Sequence, residues 1–308
     1  MTYKNFPVYI GHGNRSFTSQ FGYHKSHMIY AERANVNYST ASVPNRKLGQ
    51  SINRDREFSY TTDLGCNISF DFLFYPNPRD GVGNTVYSFL SDSDEFDQDN
   101  AYVRGNNSGA NFFPIKIGGN FYNKCFLSSY NIEVSALNAV KCSVNFDCYD
   151  PPSQDAVKSD NFTPFENYSE YMSGDAVVDG SSCQLSGLYD DFMDSSIIPK
   201  ISYSKSYNIT PVYNLGKTKP SNFLVDSIEA QMVVESTGLN NLFPYDGIKL
   251  QNDIGVNILN NNGERILPEY DGGFDIVVGS GAKVNVEDYS IGAGDVVSSR
   301  ATIQEILL

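Results

Sequence analysis

The chain has 308 residues, of which 40% are hydrophobic and 19% charged, and its formal net charge is −14. This length suits two domains of roughly 150 residues or one large β domain, and the composition excludes a disordered chain. The acidity argues against a protein that grips nucleic acid, because such proteins carry a basic patch. Tyr and Phe are abundant, Trp is absent, and Asn, Ser, Asp and Gly separate short apolar runs, which favours strands and turns over long helices.

The N-terminal stretch 1–35 begins with MTYKNFPVYIGHG, which has no apolar core of the kind that a signal peptide needs. The chain also has no run of about 18 apolar residues, so no transmembrane helix is predicted. We therefore expect the protein to fold in a cytoplasm. The same N-terminal stretch reads as extended chain and suggests an arm that reaches a neighbouring subunit.

Alternation of apolar and polar residues recurs along the chain and is typical of half-buried strands. Helical spacing of apolar positions is always interrupted by Gly, Pro or Asn. The sequence therefore predicts an all-β fold with a minor helix. The predicted strand regions are Phe58–Tyr60, Cys66–Phe72, 126–134, 140–146, Ile228–Val234, Gly255–Leu259, Phe274–Val278 and Ala301–Leu307.

A domain boundary is predicted near residue 155, inside the polar, proline-containing segment 149–161. Residues 1–155 hold 13 Lys and Arg against 15 Asp and Glu, a balance of −2, whereas residues 156–308 hold 9 against 21, a balance of −12. Two further segments, 91–100 and 161–195, read as long loops. The expected organisation is two tandem β-sandwich or barrel domains, 1–155 and 156–308, the first carrying the N-terminal arm.

Five cysteines occur, and their odd number and wide spacing give neither a disulfide framework nor a zinc pattern. Cys66, Cys125 and Cys142 sit in strand-like apolar runs. The sequence therefore predicts buried free thiols.

The two halves share a sequence of motifs in the same order. YSTASVPNRKLG (38–49) matches YNITPVYNLG (207–216), with Tyr38 on Tyr207. CFLSSYNIEV (125–134) matches KVNVEDYSIGA (283–293), with Tyr130 on Tyr289, and a final strand follows each. An internal duplication accounts for this order, and the alternatives are two unrelated β domains or a single large one.

The segment 118–151, GGNFYNKCFLSSYNIEVSALNAVKCSVNFDCYDP, resembles the C-terminal strand pair of bacteriophage tail tube and baseplate proteins. PVYNLGKTKP (211–220) is similar to a segment of such virion proteins. The resemblance implies a β-sandwich or barrel with one short helix that assembles into rings. Since tube rings present six copies of that fold, a chain with two copies implies a trimeric, pseudo-hexameric ring.

The resemblance implies a non-enzymatic tail tube subunit around a DNA-conducting lumen, in a virion tail assembled in the host cytoplasm. Its partners would be further copies of itself and other tail proteins such as sheath, baseplate and terminator, with no membrane. DNA would pass without specific binding, and the polar sides of 140–146 and 301–307 would face the lumen. An acidic lining would repel phosphates, because screening leaves such repulsion effective to about 8–10 Å.

No catalytic, cofactor-binding or metal-binding residues are predicted. His24 and His27 are spaced to approach one another, but no third ligand follows, and His12 stands alone. The acidic run Asp92, Asp94, Glu95, Asp97 and Asp99 is either a calcium loop or a solvated loop. The competing functions are a capsid decoration, neck, fibre or carbohydrate-binding virion protein, and a β-sandwich hydrolase, for which no catalytic constellation is present.

Overall fold

The structure is a computed structural model that describes residues 6–10, 27–44, 59–75, 87, 89–92, 113–149, 177–187, 196–212, 214–215, 220, 222–239, 249–250, 252–259, 263, 265–267, 276–292 and 296–307. Within these residues the chain is all-β, as predicted, with one four-residue helix, α1 (Phe89–Asp92). The strands are β1 (Phe6–Ile10), β2 (His27–Pro44), β3 (Ser59–Leu73), β4 (Phe113–Ile117), β5 (Asn120–Ser135), β6 (Lys141–Cys148), β7 (Cys183–Ser186), β8 (Ser196–Val212), β9 (Asn222–Leu239), β10 (Ile254–Ile258), β11 (Ile276–Val278), β12 (Lys283–Ile291) and β13 (Val296–Leu307).

The predicted alternation is confirmed most clearly in β6, where polar residues are half-buried and every second residue, from Cys142 to Cys148, is buried. A strand places successive side chains on opposite faces, so this pattern assigns one face to the core. Predicted strand regions lie within or largely overlap β3, β5, β6, β9, β10, β11 and β13.

The first six strands form a closed antiparallel sheet. Each strand pairs with the next in the order β5-β4-β1-β2-β3-β6, and β6 pairs again with β5 to close the circuit. Aromatic side chains fill the interior, where the rings of Phe72 and Tyr87 stack at 5.5 Å and those of Phe89 and Phe146 lie 6.2 Å apart. Helix α1 contributes Phe89 and Leu90, both buried, so it plugs the closed sheet.

The remaining long strands extend this sheet rather than forming a separate one. The outer edge of β5 pairs with β4 through its first residues and with β8 from Ser129 to Ser135. From β8 the sheet continues as β8-β9-β13-β12, and a smaller sheet, β11-β10-β7, contacts β9 and β13 through β11. Buried residues of both halves form one hydrophobic cluster, so the core is continuous across residue 155.

Two predictions about non-strand segments are wrong. Phe6–Ile10, predicted as part of an arm, pairs with β2 and β4 of the same chain because its apolar residues Val8 and Ile10 are buried in the closed sheet. The predicted long loop 161–195 contains β7, which pairs with β10. The linker residues 150–161 lie outside the described residues, and the division at 155 stays a prediction.

The prediction of a buried free thiol is wrong for Cys125. Cys125 and Cys148 face each other across β5 and β6 and form a disulfide, which spacing along the chain could not show. Cys66 and Cys142 are buried free thiols, as predicted, while Cys183 is half-buried. Burial, with a smaller contribution from Asp147, raises the pKa of Cys66 to about 11. Burial, with a smaller contribution from the nearby Asp71 carboxylate, raises the pKa of Cys142 well above its ordinary value.

We expect native protein treated with iodoacetamide at pH 8 to be alkylated at Cys183 first. The thiolate is the reacting species, and the raised pKa of Cys66 keeps that side chain protonated well above pH 8. Peptide mass spectrometry of timed samples measures the order of labelling, and protein unfolded in guanidinium is the control in which all three thiols should react. Labelling of Cys66 as fast as Cys183 in the native protein would contradict this assignment of burial.

Candidate assembly surface

One face of the extended sheet carries an unbroken row of polar residues that crosses seven strands in register. Asp71 on β3 faces Ser143, which faces Asn131, and the row continues through Ser204, Gln231, Gln304 and Lys283 on β12. The residues one step along each strand form the opposite face, and all of them are buried: Phe72, Cys142, Ile132, Tyr203, Met232, Ile303 and Val284. The sheet therefore acts as a wall with one core face and one polar face, here called the polar face, that spans both halves of the chain.

Short hydrogen bonds tie neighbouring strands together along the polar face. Asn67 Nδ2 donates to Asp147 Oδ1 at 3.0 Å, Asn145 Nδ2 donates to Ser129 Oγ at 3.0 Å, and Ser202 Oγ donates to Asn131 Oδ1 at 3.0 Å. These side chains satisfy one another's hydrogen-bonding groups across neighbouring strands.

Three basic side chains on the polar face are paired with carboxylates. Lys200 Nζ lies 3.5 Å from Glu133 Oε1. Arg33 Nη2 lies 3.3 Å from Asp71 Oδ2, and Lys141 Nζ lies 3.9 Å from both Asp71 and Glu32. Exposed pairs of this kind add little stability. Their effect here is to offset positive charge that would otherwise attract phosphate groups.

The junction between β5 and β8 joins the two halves of the chain. Seven residue pairs run antiparallel from Ser129 opposite Ser206 to Ser135 opposite Lys200. On the core side the rings of Tyr130 and Tyr203 lie 6.0 Å apart. Backbone pairing, a buried aromatic contact and the Lys200–Glu133 ion pair together make this a built interface between two sheet segments.

Two other edges of the same sheet have fewer partners. Strand β12 pairs along one side with β13, and on its other side the described residues offer only a bridge from Lys249 to Lys283. Among the described residues, strand β2 pairs with β1 through His27–Ala31, whereas β3 covers its other side to Pro44. Such edges present backbone N–H and C=O groups that can pair with another chain.

A cleft of about 270 Å³ lies at one end of the junction, where β5, β8 and the small sheet meet. Its lining is aliphatic at Val134, Leu185, Ile198 and Val256, with Cys183 and Lys200 also present. Sugars bind best where aromatic rings offer flat stacking faces. The described residues that line this cleft offer no aromatic stacking face.

His27 and Asp92 are the described members of the histidines and of the acidic run. His27 is the first residue of β2, and His12 and His24 lie outside the described residues. Asp92 ends α1, and the rest of the acidic run falls outside the described part of the chain, so its calcium reading stays a prediction. Where the structure describes the chain, no group of three or more metal-ligating side chains occurs, and no helix has the length and apolarity to span a bilayer.

Sequence reasoning anticipated the polar sides of β6 and β13 but missed the β5–β8 junction. The apolar positions Tyr130 and Ile132 indicated a strand, but the residues Ser129–Ser135 carry no sequence signal that this strand pairs with β8 as well as with β6. The comparisons with known proteins add no family: neither models of protein families nor curated protein sequences give a match to this chain.

Proposed function

We propose that this chain is a structural, non-enzymatic virion protein, a tail tube subunit that forms a trimeric, pseudo-hexameric ring around a DNA-conducting lumen. The observation that carries the proposal is the continuous polar face, which runs in register across strands of both halves and is backed by an equally continuous core. A ring wall needs a sheet of this kind, with one face sealed by its own core and the other open to the lumen.

The repeated strand order supports two copies of one unit. In the first half the order is β2-β3-β6-β5, and in the second half it is β8-β9-β13-β12, with every pair antiparallel. The motif match that aligns Tyr38 with Tyr207 places β2 on β8, and the match that aligns Tyr130 with Tyr289 places β5 on β12. The matched strands thus occupy the same positions in the two orders.

One irregularity in the ladders recurs at matched positions, which is a finer test than strand order. The β5–β6 ladder shifts register between Leu127 and Ser129, and the β12–β13 ladder shifts between Val286 and Asp288, the aligned residues. Such bulges are retained as features of a fold. The two units differ in the register of one ladder, β9–β13. Ile303 faces Met232, whereas transfer of the register of β3–β6 would place it opposite Ile228. The difference of four residues is an even number, so every side chain stays on the same face of the sheet.

The chemistry of the polar face suits passage of DNA without binding. Affinity for DNA rises with each phosphate that a Lys or Arg contacts, because each contact releases counterions. Along the central row the residues between Asp71 and Lys283 are the uncharged Ser143, Asn131, Ser204, Gln231 and Gln304. Between its two ends this row therefore offers DNA no Lys or Arg to contact.

The ring belongs to a virion tail assembled in a host cytoplasm, and its partners are further copies of the chain, stacked rings and other tail proteins such as sheath, baseplate and terminator. The alternative is a decoration, neck or fibre protein that binds carbohydrate. That alternative would use exposed side chains of a compact monomer and would not need a continuous polar wall.

Negative-stain electron microscopy of the purified protein over a range of concentrations tests the proposal. We expect rings or hollow tubes with three- or six-fold appearance, and sedimentation of the smallest ring near 103 kDa, which is three times the chain mass of 34.2 kDa. Addition of short double-stranded DNA should not change the sedimentation at physiological salt. A monomer at every concentration that binds glycans would contradict the tube and support the alternative.

A further inference from the structure

The intramolecular β5–β8 junction defines how a second copy of this chain would dock. In the sheet order of the first unit, β2-β3-β6-β5, the final strand is β5, and in that of the second unit, β8-β9-β13-β12, the first strand is β8. The junction therefore joins the final strand of one unit to the first strand of the next. Each chain has one other final strand, β12, and one other first strand, β2. A contact between β12 of one copy and β2 of another would repeat the junction that the chain already makes within itself.

We propose that β12 pairs antiparallel with β2 of a neighbouring copy, with Ser290 opposite Asn35, and that this edge is the subunit interface. The register follows from the junction, where Asn131 faces Ser204, because Asn131 aligns with Ser290 and Ser204 aligns with Asn35. The same transfer places Tyr289 opposite Val36 and Asp288 opposite Asn37.

The two faces of the strands agree with this register. Ser290 and Asn35 are exposed, while Val36 and Ala34 are half-buried and pack against the core cluster. On β12, Tyr289 and Ile291 lie opposite Ser299 and Val297, which are buried. Because the side-chain period of a strand is two, a shift of one residue would set core-facing positions against polar ones. In the proposed register the polar face and the core face both continue into the next copy.

Exposure at matched positions points to a missing partner on β2. Tyr207, on the strand that β5 covers, is 3% exposed, whereas its counterpart Tyr38 is 49% exposed and is one of the large hydrophobic residues at the surface. On β8, Ile201, Tyr203 and Lys205 are all buried, but their counterparts on β2 are exposed or half-buried. Pairing with a β12 edge would cover β2 as β5 covers β8.

A second copy suits this surface better than an unrelated protein. The two edges are different strands of one chain, so a contact between them is head-to-tail and can propagate from copy to copy. Three copies would contain three junctions within chains and three between them, six in all, which close a ring if each turns the sheet by one sixth. This inference therefore deepens the proposed function and rests on its ring.

Site-specific crosslinking tests the interface. In a Cys183→Ser background we expect the double variant Asn35→Cys/Ser290→Cys, treated with a short bismaleimide, to give chains linked between residues 35 and 290. A mixture of ¹⁴N- and ¹⁵N-labelled protein, digested and weighed by mass spectrometry, identifies links between different copies. The matched control Asn35→Cys/Asn208→Cys carries a second exposed cysteine on β8 and should give no such link.

A charge pair provides a second readout that does not depend on thiol chemistry. Like charges directly opposite on paired strands are destabilising, so Asn35→Lys/Ser290→Lys should raise the protein concentration at half-assembly about two- to five-fold. Asn35→Lys/Ser290→Glu, which places opposite charges at the same two exposed positions, should restore assembly. Equal behaviour of the two variants would overturn the register.

The outcomes separate this interface from the proposed function. Rings that form without a 35–290 link overturn the β12–β2 pairing and leave the tube proposal standing. Linked open chains without rings support the pairing and contradict the tube. Links found only within one copy, or no association at any concentration, overturn the pairing.

Discussion

Substitution of Phe72 by alanine should lower the free energy of unfolding by about 3–5 kcal/mol, because it removes the central ring of the closed sheet. Phe72 is fully buried, and its ring lies 5.5 Å from Phe74, 5.5 Å from Tyr87, 6.0 Å from Phe70 and 6.4 Å from Phe89. Those neighbours lie in β3 or just after it, in α1, and two residues before α1, so the cavity would loosen the packing of α1 as well as the sheet. Equilibrium unfolding in urea or guanidinium measures the change.

Two control variants provide reference values for the change in the free energy of unfolding. Phe72→Leu keeps an apolar side chain of similar volume and should cost about 1.5 kcal/mol or less. Leu137→Ala removes a side chain that is 87% exposed and should change stability by about 0.5 kcal/mol at most. A loss below about 1 kcal/mol in Phe72→Ala would mean that the aromatic cluster does not hold the closed sheet together.

Reduction of the Cys125–Cys148 disulfide should cost about 3 kcal/mol. The crosslink closes a loop with a sequence separation of 23, and closing a loop of that size in the unfolded chain removes conformational entropy of this magnitude. Unfolding curves with and without reductant measure the difference, once mass spectrometry has verified that the bond is reduced.

The matched control is the double variant Cys125→Ala/Cys148→Ala, whose stability should not respond to reductant. An unchanged unfolding curve for the fully reduced natural chain would show that the pairing of β5 with β6 and the surrounding core determine stability by themselves. Cys66 also faces Cys148, from β3, so the same experiment should record whether the reduced chain re-forms the bond with Cys125.

Local pattern was sufficient where one face of a strand is buried along its whole length. The alternation in 140–146 predicted β6 because each apolar residue there reaches the core. It was insufficient for Phe6–Ile10, a five-residue strand whose two partners, β2 and β4, are distant in sequence. The same limit applies to the disulfide, since Cys125 and Cys148 become neighbours only when β5 and β6 pair in register.

The all-β class and most of the strands can be derived from the amino-acid sequence, because they depend on the period of nearby residues. The matched motif order of the two halves is visible in the sequence itself. The closure of the sheet by β6 on β5, the pairing of β5 with β8 and the polar row from Asp71 to Lys283 appear only in the folded chain. Those features depend on which edges meet and in what register. Strand pairing is set by backbone hydrogen bonds between segments far apart in the chain, and these leave almost no mark on the residues beside them.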